Sequence, residues 1–424
     1  MPAAPSEIGR NSRIFSWTLF DFANTAFSVI IVTVIYSRYF TNHVAGGQRW
    51  LWGLAVSLSM ICAALLSPPL GAAADSSRNR KRFLFLFTIA CIVCTALLFF
   101  VRDGMTALGV LLFVVANIGF EGGLVFYDAF LPGLTPKHTY GRVSGYGFAM
   151  GYLGALAVLL IVNTMLPDST NPDYLFFVRL SFVVAAVFFL FHSLPMFVLV
   201  PEPVRANSVS TSYFKDGSIR AKETFRALFV KKDYPDIARF LIAFFIYNDG
   251  ILTVIAFAAI FAEHILHMSD KEIIVFFAVV QTSAVIGSIV FGIITDAIGP
   301  KRTISLTLLL WIGISIGAFF VRNVMEFYIV AMAAGIAIGS SQSASRCMMA
   351  LLTPKQREAE FFGFYDGLCG KASAVVGPLI YGIIADTTNE RVASLAIAVF
   401  FLAGLLVLQG VPERRAERVA ASSS

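Results

Sequence analysis

The 424-residue chain is 58% hydrophobic and 14% charged, with 41 Phe and a formal net charge of +6. Soluble domains average about 45–50% apolar and about 25% charged residues, so an ordinary water-soluble enzyme is excluded. The recurrent long apolar runs, in place of alternating segments of about ten residues, exclude a membrane β-barrel as well.

Residues 1–14 are polar and pass straight into an apolar run, without the short core and small-residue cleavage site of a secretory signal. A retained first span is expected. Further runs predict an all-α membrane protein of twelve spans, at about 15–40, 51–74, 83–101, 106–131, 143–166, 175–200, 240–262, 273–295, 303–321, 325–352, 361–385 and 391–411. Residues 15–200 form an N-terminal six-helix half and residues 240–411 a C-terminal one. Residues 201–239 are a polar, basic linker, and 412–424 a polar tail. With both termini cytoplasmic, most Lys and Arg fall on the cytoplasmic side, so the excess positive charge is a topology signal rather than a nucleic-acid surface. Within the linker, Ile219 to Phe229 reads as an amphipathic surface helix with Phe225, Leu228 and Phe229 toward lipid.

The halves echo each other. GAAADSSRNRKR (Gly71 to Arg82) follows the second span and GIITDAIGPKR (Gly292 to Arg302) the eighth. LPGLTP follows the fourth span and ALLTP the tenth, while Gly145 of the fifth aligns with Gly363 of the eleventh. Repeats of this kind, in one chain order, are parallel repeats.

A Gly-x-x-x-Asp followed by a basic cluster, at the second and eighth spans of a twelve-span chain, resembles the major facilitator superfamily. In the first copy Ser77 to Asn79 stand where the family's usual Gly follows the Asp. LFDFANTAF, RVSGYGFAMGYLG, FFIYNDGILT, QSASR and GLCGKAS together look like its vacuole effluxer-like branch, in a bacterial form. The resemblance implies two rocking six-helix lobes and no enzyme activity, in a bacterial inner membrane. Fungal members of the branch are associated with releasing amino acids from the vacuole. By the same resemblance Asp75 faces the start of span eleven and Asp296 the start of span five. Arg80, Lys81, Lys301 and Arg302 join them in a cytoplasmic gate. Where Tyr-Asn is expected near the end of span four, this chain has Tyr127-Asp128.

Charge inside a span costs at least about 2.5–3.5 kcal/mol at the bilayer centre, so its placement is informative. Asp21, Glu121, Asp128, Asp249, Arg346, Asp366 and Lys371 lie in spans one, four, seven, ten and eleven. Spans three, nine and twelve have no such residue in their interiors and span six has only Arg179, near its outer end, which places spans three, six, nine and twelve against lipid and the others around a wet cavity. Asp128 and Arg346 occupy near-equivalent repeat positions, so a cross-half gate pair is expected. A carboxyl held away from water favours its protonated form, which makes Glu121, Asp249 and Asp21 candidates for proton coupling, in that order. Asn24, Tyr152, Tyr247, Asn248, Gln281, Gln342, Tyr365 and Lys371 are the candidate substrate contacts, and Tyr146 is placed on a cavity helix with them. Asn248-Asp249-Gly250 is read as a break that unwinds span seven. His192 in span six is read as a packing residue.

No cofactor is expected. Cys91 and Cys94 form a CxxC without a partner pair, and His264 and His267 near Asp270 lack further ligands, so no metal is expected either. The reading is a monomeric secondary transporter of a small polar solute such as an amino acid, coupled to protons. The alternatives are a proton-driven exporter of drugs or metabolites and a non-transporting receptor.

Overall fold

The computed structural model describes residues 7–168, 170–202, 213–268, 270–374 and 376–413. Of the sequence expectations, the tail beyond 413 and the side chains of His264 and Asp270 lie outside the described residues. The N-terminal half contains α1 (Glu7–Phe27), α2 (Arg49–Ser77), α3 (Arg80–Leu97), α4 (Thr106–Asp128), α5 (Tyr140–Met165) and α6 (Tyr174–Leu199). Helix α1 runs on through a π-helical stretch, Ser28–Val34. The linker contributes α7 (Tyr213–Phe229). The C-terminal half contains α8 (Pro235–Leu266), α9 (Asp270–Ile298), α10 (Pro300–Phe320) and α11 (Val324–Leu352), then the short α12 (Glu358–Phe362). A π-helical segment, Gly363–Gly370, leads on to α13 (Val376–Thr387) and α14 (Glu390–Gln409).

Eleven of these helical stretches are long and apolar enough to cross a membrane, and α13 is a shorter apolar helix. The eleventh span is therefore composite: α12, the π-helical segment and α13 in succession. This relocates the break expected in span seven, because α8 is continuous through Asn248-Asp249-Gly250. The polar pair serves the neighbouring span instead. Asn248 Nδ2 donates to Ser373 Oγ at 2.7 Å, and the Gly377 amide donates to both carboxylate oxygens of Asp249 at 2.9 and 2.8 Å. A helix start inside a bundle leaves unpaired amides that need an acceptor, and Asp249 supplies one to α13. Gly250 is small for a packing reason: a Cβ there would lie 2.9 Å from the Phe401 ring of α14.

Spans three, six, nine and twelve make their main packing contacts within their own halves: α3 against α4 and α6, α6 against α1, α10 against α11 and α14, and α14 against α8. The halves meet through α5 on α9 and α11, and through α2 on α12 and the π-helical segment. Backbone-to-backbone approach makes this seam. A Cβ on Gly71 would sit 2.2 Å from the Ala359 carbonyl oxygen, and one on Gly145 2.2 Å from that of Ser288. Both points lie toward the end of the bundle from which α1 starts and at which α2 and α9 finish. The halves are clamped at that end, the termini face.

The linker helix is not a free surface helix. Helix α7 docks along α2, with Gly217 against the Pro69 carbonyl, and Leu228 is 0% exposed. Arg220, Thr224 and Leu228 share one face at i, i+4 and i+8. Thr224 Oγ1 donates to Glu360, and Arg220 donates to Glu360 at 3.0 Å and to Ser76 at 2.7 Å. The buried carboxylate thus draws in the Arg220–Thr224–Leu228 face, which takes Leu228 from the face that the sequence assigned to lipid, while Phe225 stays 45% exposed.

Closing the seam depends on absent side chains, so Gly145→Leu should open it. Cys347, 2% exposed beside Arg346, reports on this when Cys62, Cys91, Cys94 and Cys369 are replaced by Ala. Each ~1.4 kcal/mol taken from the closed state raises the open population about tenfold, so maleimide labelling of Cys347 should accelerate by at least that factor. An unchanged rate would show that the seam does not shield Cys347.

Candidate functional site

Ionic contacts join the halves at three levels. The outermost lies at the termini face. Asp75, at the end of α2, accepts from the amides of Ala359 at 3.2 Å and Glu360 at 2.9 Å. Those amides open the eleventh span, where the helix dipole favours a carboxylate. Arg80 donates from Nε to Asp75 at 2.6 Å and pairs with Glu358 across the seam. The repeat-related contact is Asp296 at the end of α9. It accepts from the Gly141 amide at 2.8 Å and from Arg142 Nε at 2.7 Å. The family resemblance implied both aspartates at these helix starts; Glu358, Glu360, Arg357 and Arg142 were missed. Glu360 is 0% exposed and collects Arg357, Arg220 and Thr224. No repeat motif marks it, and only its position shortly after the Thr353-Pro354 corner would have signalled it.

Three expected gate residues lie elsewhere. Lys81 donates from Nζ to the Val200 carbonyl at 2.6 Å and from its amide to Glu202 at 3.0 Å, at the end of α6. Lys301 donates to the Gln409 carbonyl at 2.9 Å, and the Arg302 amide to Glu413 at 3.2 Å, beyond α14. Burial pushes the Glu413 carboxyl up, against the pull of the Arg302 and Lys301 amides. These basic residues fasten helices within one half.

The second level is Arg346 of α11, 2% exposed. Nη1 donates to Asp128 Oδ1 at 2.8 Å and Asp21 Oδ2 at 3.4 Å. Nε donates to Ser144 Oγ at 3.0 Å and Nη2 to the Ser144 carbonyl at 2.8 Å. All four acceptors belong to the N-terminal half. The guanidinium stands 4.0 Å from the Phe148 ring centre and 4.9 Å from that of Trp17, and cation–π contact strengthens when water is excluded. Gly147 makes the space: a Cβ there would lie 2.6 Å from Arg346 Nη2. Asp21 is the better furnished acid, receiving the Tyr127 hydroxyl at 2.8 Å and Asn24 Nδ2 at 3.4 Å.

The third level lies deeper. Glu121 precedes Asp128 by seven residues on α4, about 10 Å along the axis. Its carboxylate pairs with Lys371, just beyond the π-helical segment in the opposite half. Asp366 stands 3.4 Å from the same ammonium, and its side chain is 22% exposed. One cation faces two carboxylates here, as at the second level. Around these centres, Tyr247 shares a 2.7 Å hydrogen bond with Ser345, and Tyr365 packs on Phe244 at 4.3 Å between ring centres. The Tyr152 hydroxyl is buried and has no hydrogen-bond partner among the described residues. Gln281 and Gln342 are half-buried. Tyr146 is not with this group; it lies on the outer side of α5 and is 38% exposed. His192 Nδ1 donates to the Phe188 carbonyl one turn back, at 2.8 Å, and the ring packs against that of Phe188.

Residues 52–421 match the family described as vacuole effluxer Atg22-like. The MFS-type transporter YxiO of Bacillus subtilis is 29% identical, over 94% of each chain. Autophagy-related protein 22 of Yarrowia lipolytica is 25% identical, over 79% of this chain and 70% of that protein. Among solved structures, the proton:xylose symporter XylE superposes with a TM-score of 0.77 at 14% identity, covering 97% of this chain and 98% of its own. The Escherichia coli fucose:proton symporter FucP superposes with a TM-score of 0.75 at 14% identity, over 96% and 99%. The twelve-helix major facilitator fold, implied by span count and repeats, is the fold of these neighbours.

Removing one member of a buried ion pair strands the other, at a cost of about 3–5 kcal/mol. Arg346→Met strands both Asp21 and Asp128, whereas Asp128→Asn leaves Arg346 its contact with Asp21. In thermal unfolding of the purified protein, Arg346→Met should lose more stability than Asp128→Asn. The double variant should be more stable than Arg346→Met alone. Strictly additive losses would show that the two side chains do not interact.

Proposed function

We propose that this chain, which belongs to the vacuole effluxer Atg22-like family of major facilitator transporters, carries a small zwitterion such as an amino acid by alternating access, coupled to protons at Glu121. The observation that carries this reading is the Glu121–Lys371–Asp366 cluster, in which one ammonium joins the two halves and a carboxylate is left in surplus. A proton or a substrate ammonium completes the charge balance of such a group. An amino acid brings both signs: its carboxylate replaces Glu121 on Lys371, and its ammonium takes the acids. A ligand shifts an equilibrium only by its differential affinity for the two states. Substrate that competes for a cross-half ion pair has that difference built in.

Glu121 is preferred over the other two acids because of their partners. Asp249 holds the Gly377 amide, and Asp21 is held by Tyr127, Asn24 and Arg346, whereas the bond of Glu121 to Lys371 is the one the substrate contests. The Tyr152 hydroxyl supports a polar ligand, since a buried donor without a partner carries a desolvation cost of about 1–3 kcal/mol that a bound solute removes. Tyr247, Asn248, Gln281, Gln342, Tyr365 and Asn24 are the further proposed contacts. Asp75, Arg80, Asp296, Asp128 and Arg346 are the proposed gate. The clustering of Arg78 to Arg82, Lys137, Lys301 and Arg302 on the termini face supports a cytoplasmic location for that face, in a bacterial plasma membrane. Nothing in this mechanism requires more than one copy of the chain.

In proteoliposomes loaded with candidate amino acids, an imposed pH gradient should accelerate net flux of the wild type. Glu121→Gln should abolish that acceleration yet retain exchange of labelled against unlabelled substrate, because exchange needs no net proton movement. Gradient-driven flux that survives in Glu121→Gln removes the coupling assignment. Lys371→Met should abolish substrate-induced thermal stabilisation; stabilisation that persists removes the zwitterion site.

A further inference from the structure

We infer that a groove on the outer side of α5, at the termini face, binds one anionic phospholipid from the adjoining leaflet. The groove is about 630 Å³ and is bounded by the start of α1, the 135–139 corner, α5 and Ile289 of α9. It meets the outermost ionic level only at Arg142, lies apart from the two deeper ones, and does not depend on the substrate proposed above.

Its direction is set by helix geometry. On α5 it is lined by Arg142, Val143, Tyr146, Ala149, Met150 and Leu153. At about 100° per residue, Tyr146 and Leu153 lie about 200° and 180° round the helix from Ser144. Ser144 holds Arg346 at the bundle centre, so the groove faces away from the centre, toward lipid. Its wall is apolar and open: Phe15 is 58% exposed, Tyr146 38% and Leu153 43%. From Arg142 to Leu153 is about 16 Å along α5, a depth suited to a length of acyl chain.

The mouth carries the opposite character. Arg10, His138 and Arg142 line it, and no acidic side chain is among the lining residues. Arg142 gives Nε to Asp296, while its side chain stays 44% exposed. Guanidinium and phosphate form strong charge-assisted bonds. A free phosphate would leave the apolar wall bare, and a neutral apolar molecule would leave the basic mouth unmatched. An amphiphile with an anionic head satisfies both. Because Arg142 also holds Asp296 at the seam, the lipid phosphate and the gate share one guanidinium, and lipid bound there favours the clamped state.

The test is native mass spectrometry of the purified full chain, equilibrated with equal amounts of phosphatidylglycerol and phosphatidylcholine of identical acyl composition. One phosphatidylglycerol should be retained per chain, preferred about fivefold. Arg10→Gln combined with His138→Gln should reduce that preference toward parity. Met150→Trp, which fills the wall, should release the retained lipid. Both lipids are read in one sample, so the ratio is insensitive to a misfolded fraction. Equal retention of the two lipids by the wild type, a preference unchanged in both variants, or complete displacement by millimolar inorganic phosphate would each overturn the inference.

Discussion

A guanidinium shut away from water fixes the terms on which this structure holds together. Arg346 belongs to the C-terminal half, yet the four acceptors it reaches, on Asp21, Asp128 and Ser144, belong to the other half. An uncompensated buried charge is costly enough to unfold a marginal protein. The halves must therefore be together for Arg346 to be satisfied by protein, or apart for it to be satisfied by water. Intermediate separations, too wide for direct bonds and too narrow for hydration, are the unfavourable ones. The ion pair thus favours two states over a continuum.

The glycines make that arrangement geometrically possible. Gly147 leaves room for the guanidinium, and Gly71, Gly145 and Gly363 let backbones from opposite halves touch. Close approach puts the starts of the fifth and eleventh spans within reach of Asp296 and Asp75, whose carboxylates take the free amides there. Salt-linked side chains and helix ends are therefore not separate locks. The same absence of side chains that lets the seam close brings each acid to its amide, and widening the seam releases them together.

Much of this was legible in the sequence, for a definite reason. Asp75, Asp296 and the Asp128–Arg346 pair stand at repeat-related positions, and a duplicated pattern in which charge is expensive points to function twice over. Asn248 and Asp249 misled because a helix-breaking composition was read as acting on its own helix, whereas their side chains complete α13. Lys81, Lys301 and Arg302 belong to the same motif as Asp75 and Asp296, but motif spacing does not fix the direction of a long basic side chain. The role of α7 was hidden because amphipathicity shows that a face must be covered, not by what. Glu360 supplies the answer from about 140 residues away in the chain.

The composite eleventh span is where these constraints converge. Its first amides hold Asp75, its π-helical segment packs on Ser67 and Pro68, Lys371 at the end of that segment reaches Glu121, and the break beyond is tied to α8 through Asn248 and Asp249. From Glu360 to Lys371 is eleven residues, held at both ends by cross-half contacts, Glu360 through its amide to Asp75 and Lys371 to Glu121. A π-helical turn holds its hydrogen bonds less favourably than an α-helical one and recurs at functional sites. Here the π-helical segment, Gly363–Gly370, carries Asp366 and sets Lys371 against Glu121 of the other half, so the irregular turn and the cross-half ion pair occupy one place in the fold.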